Sequence, residues 1–348
     1  NRTDWDFTYR DTTVACATGA EARVGITLAG DMIGDMYRYF HAPEEWLRAA
    51  AARAAVSALV TQICMLVLTM LFLVGLIVGV VRWARGDFSW RHAGLFALVF
   101  AALGIARTAN NWPATMAAFV TAEPLQNQVI QVLLTTLMGV MLLGIIGGVM
   151  TGASRGSGAA PRASVLAMAC ALALLAAGLL GAAGACMPVL APVWPQFDAA
   201  VTVLPMLAPL LVTLLTFMLH TAFLLFVYAM IGRVSANGTR RRVVCGLLLL
   251  ALGFILAGRA PMDTIGQWLA DSVVLGGVLW LGYALVFRYN LQAVPIAYGV
   301  FMALQLAPEV AFAAYPGARA ANLIAIAAVL LVAWRWSRAG AARAASDE

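Results

Sequence analysis

A single histidine inside a long apolar stretch is the residue with the clearest capacity for chemistry. His220 lies in the uncharged run between Asp198 and Arg233, with Thr216 one helical turn before it. A polar side chain inside a membrane is costly and usually marks either a function or a buried pairing. An imidazole can accept a proton or bind a metal near neutral pH, and it can also hydrogen-bond to a neighbouring helix. Because the run contains no other His, Asp or Glu, helix pairing is the favoured interpretation and metal binding by His220 is the alternative.

A second set of polar residues recurs at the ends of the apolar stretches on one side of the predicted membrane. Asp263, Gln267 and Asp271 are spaced four residues apart, so they share one face of a helix. With the rest of the set they could line the mouth of a polar cavity for a substrate or an external domain. The alternative is ordinary capping at the membrane surface, since every loop there must carry polar residues. The candidate binding residues are Arg107, Asn110, Asn111, Glu123, Asp263, Asp271 and Glu309.

The composition indicates which elements must position these residues. Hydrophobic residues make up 63% of the chain and charged residues 11%, whereas soluble domains are about one half apolar and one quarter charged. A bilayer core of about 30 Å needs about 20 apolar residues per helix. The sequence therefore predicts an all-α polytopic membrane bundle of about nine helices. The predicted spans are 54–81, 90–108, 124–154, 163–197, 199–232, 243–258, 266–287, 290–308 and 320–336.

The arginines predict the orientation of this bundle, since the chain contains no lysine. Thirteen of the 22 arginines lie in alternate connections and in the C-terminal tail, and only three lie in the opposite loops. By the positive-inside rule the arginine-rich side is cytoplasmic. We therefore expect a multi-pass protein of a bacterial inner membrane, with an external (periplasmic) N-terminus and a cytoplasmic C-terminus. The net charge of +6 then reflects topology, and with the arginines spread along membrane borders we expect the bilayer, not nucleic acid, as the partner.

The first 42 residues differ from the rest and form a predicted external β-rich segment. Trp5, Phe7 and Tyr9 alternate with polar residues, which predicts a strand. Strands are also predicted around 24–28 and, after a turn between Gly30 and Asp35, at 36–40. Pro43 then stands where a helix begins, with two glutamates in its first turn, and this helix is expected to run straight into the membrane.

Three regions are therefore predicted: the external segment 1–42, a helical transmembrane domain 43–338 and a cytoplasmic tail 339–348. Because a segment of this size buries little core, we expect it to belong to a larger external domain of a longer protein. The five cysteines show no CxxC spacing and are interpreted as small buried hydrophobes. No Gly-rich phosphate loop or Ser/His/Asp arrangement stands out, and no cofactor is predicted.

Several stretches resemble one family of membrane proteins. They are TDWDFTYRDT at 3–12, the junction EARVGITLAGDMIGDMYRYFHAPEEWLRA at 21–49, NNWP at 110–113, FRYNLQAVPIAYG at 287–299 and WRWSR at 334–338. Together they are similar to the membrane-proximal part of large bacterial proteins of the CPBP group, the CAAX-protease and bacteriocin-processing intramembrane endopeptidases. The resemblance implies an external domain followed by a helical membrane domain that handles polypeptides.

The catalytic motifs of that group are not matched. The group carries Glu-Glu-x-x-x-Arg, Phe-x-x-x-His and His-x-x-x-Asn/Asp inside its membrane helices, where they would activate water for peptide hydrolysis. Here the only Glu-Glu pair, Glu44-Glu45, has Arg48 one residue too close and lies at the start of the first helix. Phe217 precedes His220 by three residues instead of four. The resemblance without these motifs predicts a catalytically degenerate relative.

Three functions follow from these observations. The favoured prediction is a non-catalytic relative of the CPBP endopeptidases that binds a polypeptide or acts as a scaffold. An active intramembrane protease with divergent motifs is the first alternative, and it requires further ligands close to His220. A small-molecule transporter is the second, and it requires a polar path from His220 to Asp271 or Glu309.

Overall fold

The computed structural model describes residues 3–16, 19–120, 122–154, 161–187, 198–235, 241–259, 264–313, 315 and 317–344. The chain divides into two compact units, Asn1–Thr61 and Gln62–Glu348.

The first unit contains a three-stranded antiparallel sheet in the order β1-β2-β3. Its strands are β1 (Asp4–Arg10), β2 (Glu21–Ala29) and β3 (Met32–His41). Ala29 pairs with Met32, so only Gly30 and Asp31 form the loop between β2 and β3. Gly30 has a φ of 70°, and glycine at the first position suits a two-residue hairpin loop. The three predicted strands are confirmed, and the third begins at Met32 instead of Met36 because the chain reverses within two residues.

One face of this sheet is apolar. The register sets Trp5 opposite Leu28 and Phe7 opposite Ile26, and the rings of Trp5 and Phe7 stack with centroids 6.5 Å apart. The other face is polar, and there the Thr27 hydroxyl donates to the Asp6 carboxylate at 2.7 Å. The alternation of period two seen in the sequence therefore describes a sheet with one apolar face and one polar face.

A single helix, α1 (Glu44–Ala84, 41 residues), follows the sheet after two residues. Its first turn is closed by the Pro43 carbonyl, which accepts from the amides of Trp46 and Leu47, and the Arg48 guanidinium pairs with the Glu44 carboxylate at 2.6 Å. At about 1.5 Å per residue the helix is roughly 60 Å long, about twice the thickness of a hydrocarbon core. The prediction of one continuous helix after Pro43 is confirmed, since α1 runs without a break from Glu44 to Ala84.

The second unit is a bundle of helices. After α1, the described helices are α2 (Trp90–Asn110), α3 (Trp112–Ala117), α4 (Leu125–Ala153), α5 (Ala163–Ala185), α6 (Leu207–Val234), α7 (Arg242–Ala257), α8 (Ile265–Gly282), α9 (Val294–Ala311) and α10 (Ala318–Ala344). Short 3-10 turns at Asp198–Val201 and Leu291–Ala293 precede α6 and α9, and a π-helical turn, Tyr283–Phe287, continues α8. Among the described residues, eight helical segments are long and apolar enough to cross a membrane. The length and apolar composition of these segments are those of a multi-pass membrane protein with a helical bundle.

Each of the nine predicted spans overlaps one described α-helix, but several bounds differ, and α5 ends at Ala185 instead of residue 197. Helix α7 has 16 residues and is about 24 Å long, which is shorter than a hydrocarbon core of about 30 Å. Helix α6 begins at Leu207 instead of residue 199, so Pro205 precedes it and Pro209 lies in its first turn. Proline is tolerated in a first turn, and α10 continues to Ala344 into the predicted tail.

Helix α6 lies at the centre of the bundle. Phe217, Thr221 and Ala222 on this helix have no exposed surface. One apolar cluster joins Phe217 to Phe96 of α2 and Val329 of α10. Because α6 is enclosed by other helices, a polar side chain on it has only protein groups to bond to, and the buried Thr221 hydroxyl has no hydrogen-bond partner among the described residues.

Glycines allow the closest helix contacts. A Cβ at Gly148 of α4 would lie 2.6 Å from the Ala93 carbonyl oxygen of α2, and one at Gly144 would lie 3.4 Å from the Ala97 oxygen. The small-xxx-small pair therefore brings the two backbones together. Gly253 of α7 faces the Gly276 backbone of α8 in the same way.

We predict that Gly148→Ala destabilises the folded protein by about 1–3 kcal/mol, because the added methyl group overpacks against a backbone oxygen. The free energy of unfolding in mixed micelles measures this. The matched control is Gly139→Ala on the same helix, where a Cβ would meet nothing within 4 Å, and it should be neutral or slightly stabilising. Equal effects of the two substitutions would contradict the close α2–α4 contact.

Candidate ligand site around His220

His220 lies at the middle of α6, which runs from Leu207 to Val234. At about 1.5 Å per residue it is roughly 20 Å from either end of that helix. The apolar sequence on both sides makes this segment a membrane span, so the imidazole lies deep in the bundle. Its polar atoms therefore have to be satisfied by protein groups.

Both ring nitrogens of His220 have protein partners. Nδ1 lies 2.7 Å from the carbonyl oxygen of Thr216, one turn earlier on α6. A carbonyl can only accept, so Nδ1 carries the proton and donates it. Nε2 contacts the Arg259 guanidinium, which can only donate, so Nε2 is unprotonated and accepts. The two bonds together assign the neutral Nδ1–H tautomer to His220.

Arg259 brings a cation into this region. It follows the last residue of α7, Ala257, by two positions, and its contact with His220 joins α7 to α6. Among the ion pairs of the described residues, none includes Arg259. Arg259 is one of the three arginines of the opposite loops and begins the polar cluster that precedes the 266–287 span, but it is not among the seven predicted binding residues. The signal that could have identified it is the shortness of the 243–258 span, since an arginine directly after so short a span is expected close to the hydrocarbon core.

Aromatic rings surround the imidazole on the side of α9. The rings of His220 and Tyr298 have centroids 5.6 Å apart and are tilted by 31°. Tyr298 also stacks on Phe217 of α6, with centroids 6.1 Å apart. These contacts fix the plane of the imidazole between Arg259 and the aromatic side chains.

A cavity of about 120 Å³ opens beside His220. Side chains of α5 to α9 line it, and almost all of the lining atoms are apolar. Ala173 and Ala176 form its wall on α5, while Leu275 and Val278 form the wall on α8. An engineered apolar cavity of about 150 Å³ stays dry and binds benzene. The cavity is therefore suited to a small apolar group and not to a polar or hydrated one.

The π-helical turn shapes the other end of this cavity. A Cβ at Gly282 would lie 2.6 Å from the Phe287 ring, so glycine is needed for that ring to reach the lining. Tyr228 of α6 also lines the cavity, and its hydroxyl donates to the Leu279 carbonyl at 3.3 Å. Tyr283 stacks on Tyr228 and hydrogen-bonds to Ser235 at 2.6 Å. The polar atoms at this end are therefore bonded within the protein.

Two polar residues near helix ends have structural partners in the adjoining loops. The side chain of Asn110, which is 6% exposed, accepts from the Leu204 amide at 2.8 Å and donates to the Leu204 carbonyl at 3.2 Å. Asn110 thereby holds the segment that leads into α6. Gln128 closes the loop before α4 in the same manner, because its side chain bonds both backbone groups of Val120 and the carbonyl of Glu123.

The other predicted binding residues are distributed over several elements. Arg107 and Glu123 are exposed, Asn111 connects α2 to α3, Asp271 is partly buried on α8 and Glu309 is exposed near the end of α9. Asp263 lies outside the described residues, so the predicted shared face retains Gln267 and Asp271, one turn apart on α8. In the described part of the chain no side-chain hydrogen bond or ion pair joins two of the seven candidates, and Arg107 and Asn111 share only a backbone hydrogen bond at the end of α2. Ligand binding by this set stays a prediction.

Metal binding by His220 also stays a prediction. Its Nε2 is occupied by Arg259, and no group of three or more His, Cys, Asp or Glu among the described residues could hold a metal ion. No family model matches the chain, and neither a curated protein nor a solved structure does so.

We predict that His220 and Arg259 are energetically coupled. In a double-mutant cycle with His220→Phe and Arg259→Met, the coupling should be about 0.6–1.7 kcal/mol, as for hydrogen bonds inside membrane proteins. Unfolding free energies in bicelles measure it. As a control we choose Arg319→Met, at an exposed position near the start of α10, which should be additive with His220→Phe within about 0.5 kcal/mol. Additivity of the first pair as well would contradict the contact.

Proposed function

We propose that this chain is a non-catalytic membrane protein that binds an apolar group of its ligand in the cavity beside His220. The observation that carries the proposal is the character of the cavity, about 120 Å³ and lined almost wholly by apolar atoms of five consecutive helices. An apolar pocket with few oriented polar groups at its edge is the usual form of a small-ligand site.

The arrangement of His220 favours binding over hydrolysis. A general base or metal ligand needs a free ring nitrogen, whereas Nδ1 donates to Thr216 and Nε2 accepts from Arg259. The imidazole instead orients the guanidinium at the edge of the cavity. In this proposal the chain shares ancestry with the CPBP group but not its catalytic activity. The sequence-based prediction of a polypeptide partner then applies to the region outside the bundle.

The same contacts favour binding over transport of a polar solute. A transport path would connect His220 with Asp271 or Glu309 through polar groups. In the described residues neither carboxylate shares a hydrogen bond or ion pair with His220 or Arg259, and the cavity lining supplies mainly hydrocarbon surface. An apolar ligand can leave water and enter such a lining without losing hydrogen bonds, whereas a polar solute cannot.

Photolabelling with a diazirine-bearing hexadecanol in nanodiscs tests the proposal. We expect labelling of cavity-lining residues that excess unlabelled hexadecanol displaces, which separates a site from ordinary lipid contact. Ala176→Leu fills the cavity and should abolish the displaceable labelling. Ala171→Leu on the same helix, at an exposed position, should leave it unchanged.

Labelling that cannot be displaced in the wild-type chain would refute a binding cavity. The same conclusion would follow if Ala176→Leu retained the displaceable fraction. Size-exclusion profiles of both variants establish that the bundle is still folded.

A further inference from the structure

The position of Arg259 poses an electrostatic problem that the apolar cavity alone does not solve. Helix α7 is about 24 Å long, so a residue two positions beyond it does not reach the far side of a hydrocarbon core of about 30 Å. Arg259 is exposed on the surface of the protein, and its guanidinium contacts a histidine at the centre of α6. A cation at such a depth is expensive unless it is paired or reached by water.

The described residues supply a hydrogen-bond acceptor for this cation but no counter-charge. His220 is neutral, because Nδ1 donates to Thr216 and only Nε2 accepts. Tyr298, packed against the imidazole, contributes a ring face and a hydroxyl, neither of which carries a formal charge. None of the ion pairs found in the described ranges involves Arg259.

One residue, His220, connects the Arg259 cation to the cavity. His220 lines the cavity and also accepts from Arg259. A ligand whose apolar chain enters the cavity would therefore have its head beside the guanidinium. An anionic head could reach this exposed guanidinium and compensate its charge, and arginine binds carboxylates and phosphates with two parallel hydrogen bonds.

The lining also distinguishes a hydrocarbon chain from a polypeptide. A polypeptide in the bundle would need partners for its backbone N–H and C=O groups. The polar side chains of the lining are His220, Tyr228 and Tyr298, and the first two are already bonded within the protein. A hydrocarbon chain has no such groups to satisfy.

We propose that the cavity between α5 and α9 binds an acidic amphiphile, with its anionic head on Arg259 and the adjoining part of its single hydrocarbon chain beside His220. The proposal rests on the proposed binding function and names its ligand class. The head is a carboxylate or a phosphate, and a chain longer than the cavity extends beyond it because the cavity is not fully enclosed.

The test compares photoreactive hexadecanoic acid, hexadecyl phosphate, hexadecanol and hexadecylamine, all carrying the same diazirine, in nanodiscs of zwitterionic lipid. The half-saturating concentration of displaceable labelling is measured for each. At least one of the two anionic probes should bind ten-fold or more tightly than the alcohol, and the amine should bind worst. The tighter anionic probe identifies the head group.

Substitutions at Arg259 provide the controls. Arg259→Gln should bring the anionic probes to the affinity that the same variant shows for the alcohol, while Arg259→Lys should keep part of the preference for the anionic probes. Arg319→Gln, which removes an exposed arginine near the start of α10, should change nothing. The alcohol serves as the internal measure that each variant still folds and binds.

Three results would overturn the inference. The first is equal binding of acid, phosphate and alcohol by the wild-type chain. The second is a preference for anions that survives Arg259→Gln. The third is tighter binding of the anionic probes than of the alcohol in Asp263→Asn but not in the wild-type chain. This result would mean that a carboxylate of the chain itself neutralises Arg259. Displaceable labelling by the alcohol in these cases would leave the proposed binding function standing, and its absence would refute both.

Discussion

The hydrogen bond from Arg259 to His220 determines the chemistry available in the interior of this bundle. It engages the second nitrogen of an imidazole whose first nitrogen already donates to Thr216, so the histidine orients a charge instead of carrying one. It also places an exposed guanidinium in contact with a residue that lines the apolar cavity. A guanidinium beside an apolar cavity is suited to binding an amphiphile and not to catalysing hydrolysis.

Helix α7, which Arg259 follows, packs closely against α8. Gly253 faces the Gly276 backbone, and a Cβ at Gly276 would lie 2.9 Å from the Leu250 Cα. The closely packed helices α7 and α8 stay together over a short distance, because α7 has only 16 residues. Arg259, just beyond the end of α7, therefore lies at the level of His220. Larger side chains at the glycines would separate the helices and withdraw the guanidinium. The fold thus positions the cation through backbone contact and helix length, and not through a network of charged residues.

The sequence predicted the elements better than the site. Uncharged runs and alternating aromatic residues located the helices and strands, because membrane thickness and strand pleating impose periods that a sequence displays directly. Gly144 and Gly148 show how a spacing of four small residues permits close contact between two helices. Arg259 was assigned to a loop, since hydropathy does not show how deep a short helix ends. Asn110 looked like a ligand-binding residue, and its partner Leu204 lies 94 positions away, a pairing that no local pattern reveals.

The most direct test of the account is the protonation state of the His220 imidazole. The chain contains 3 histidines, so ¹⁵N-histidine labelling in nanodiscs yields few signals, and a His220→Gln sample assigns the one that disappears. The account predicts a neutral ring at pH 7 with Nδ1 protonated and Nε2 unprotonated, and a changed Nε2 shift in Arg259→Met. An imidazolium, an Nε2–H tautomer, or a spectrum indifferent to Arg259→Met would contradict it.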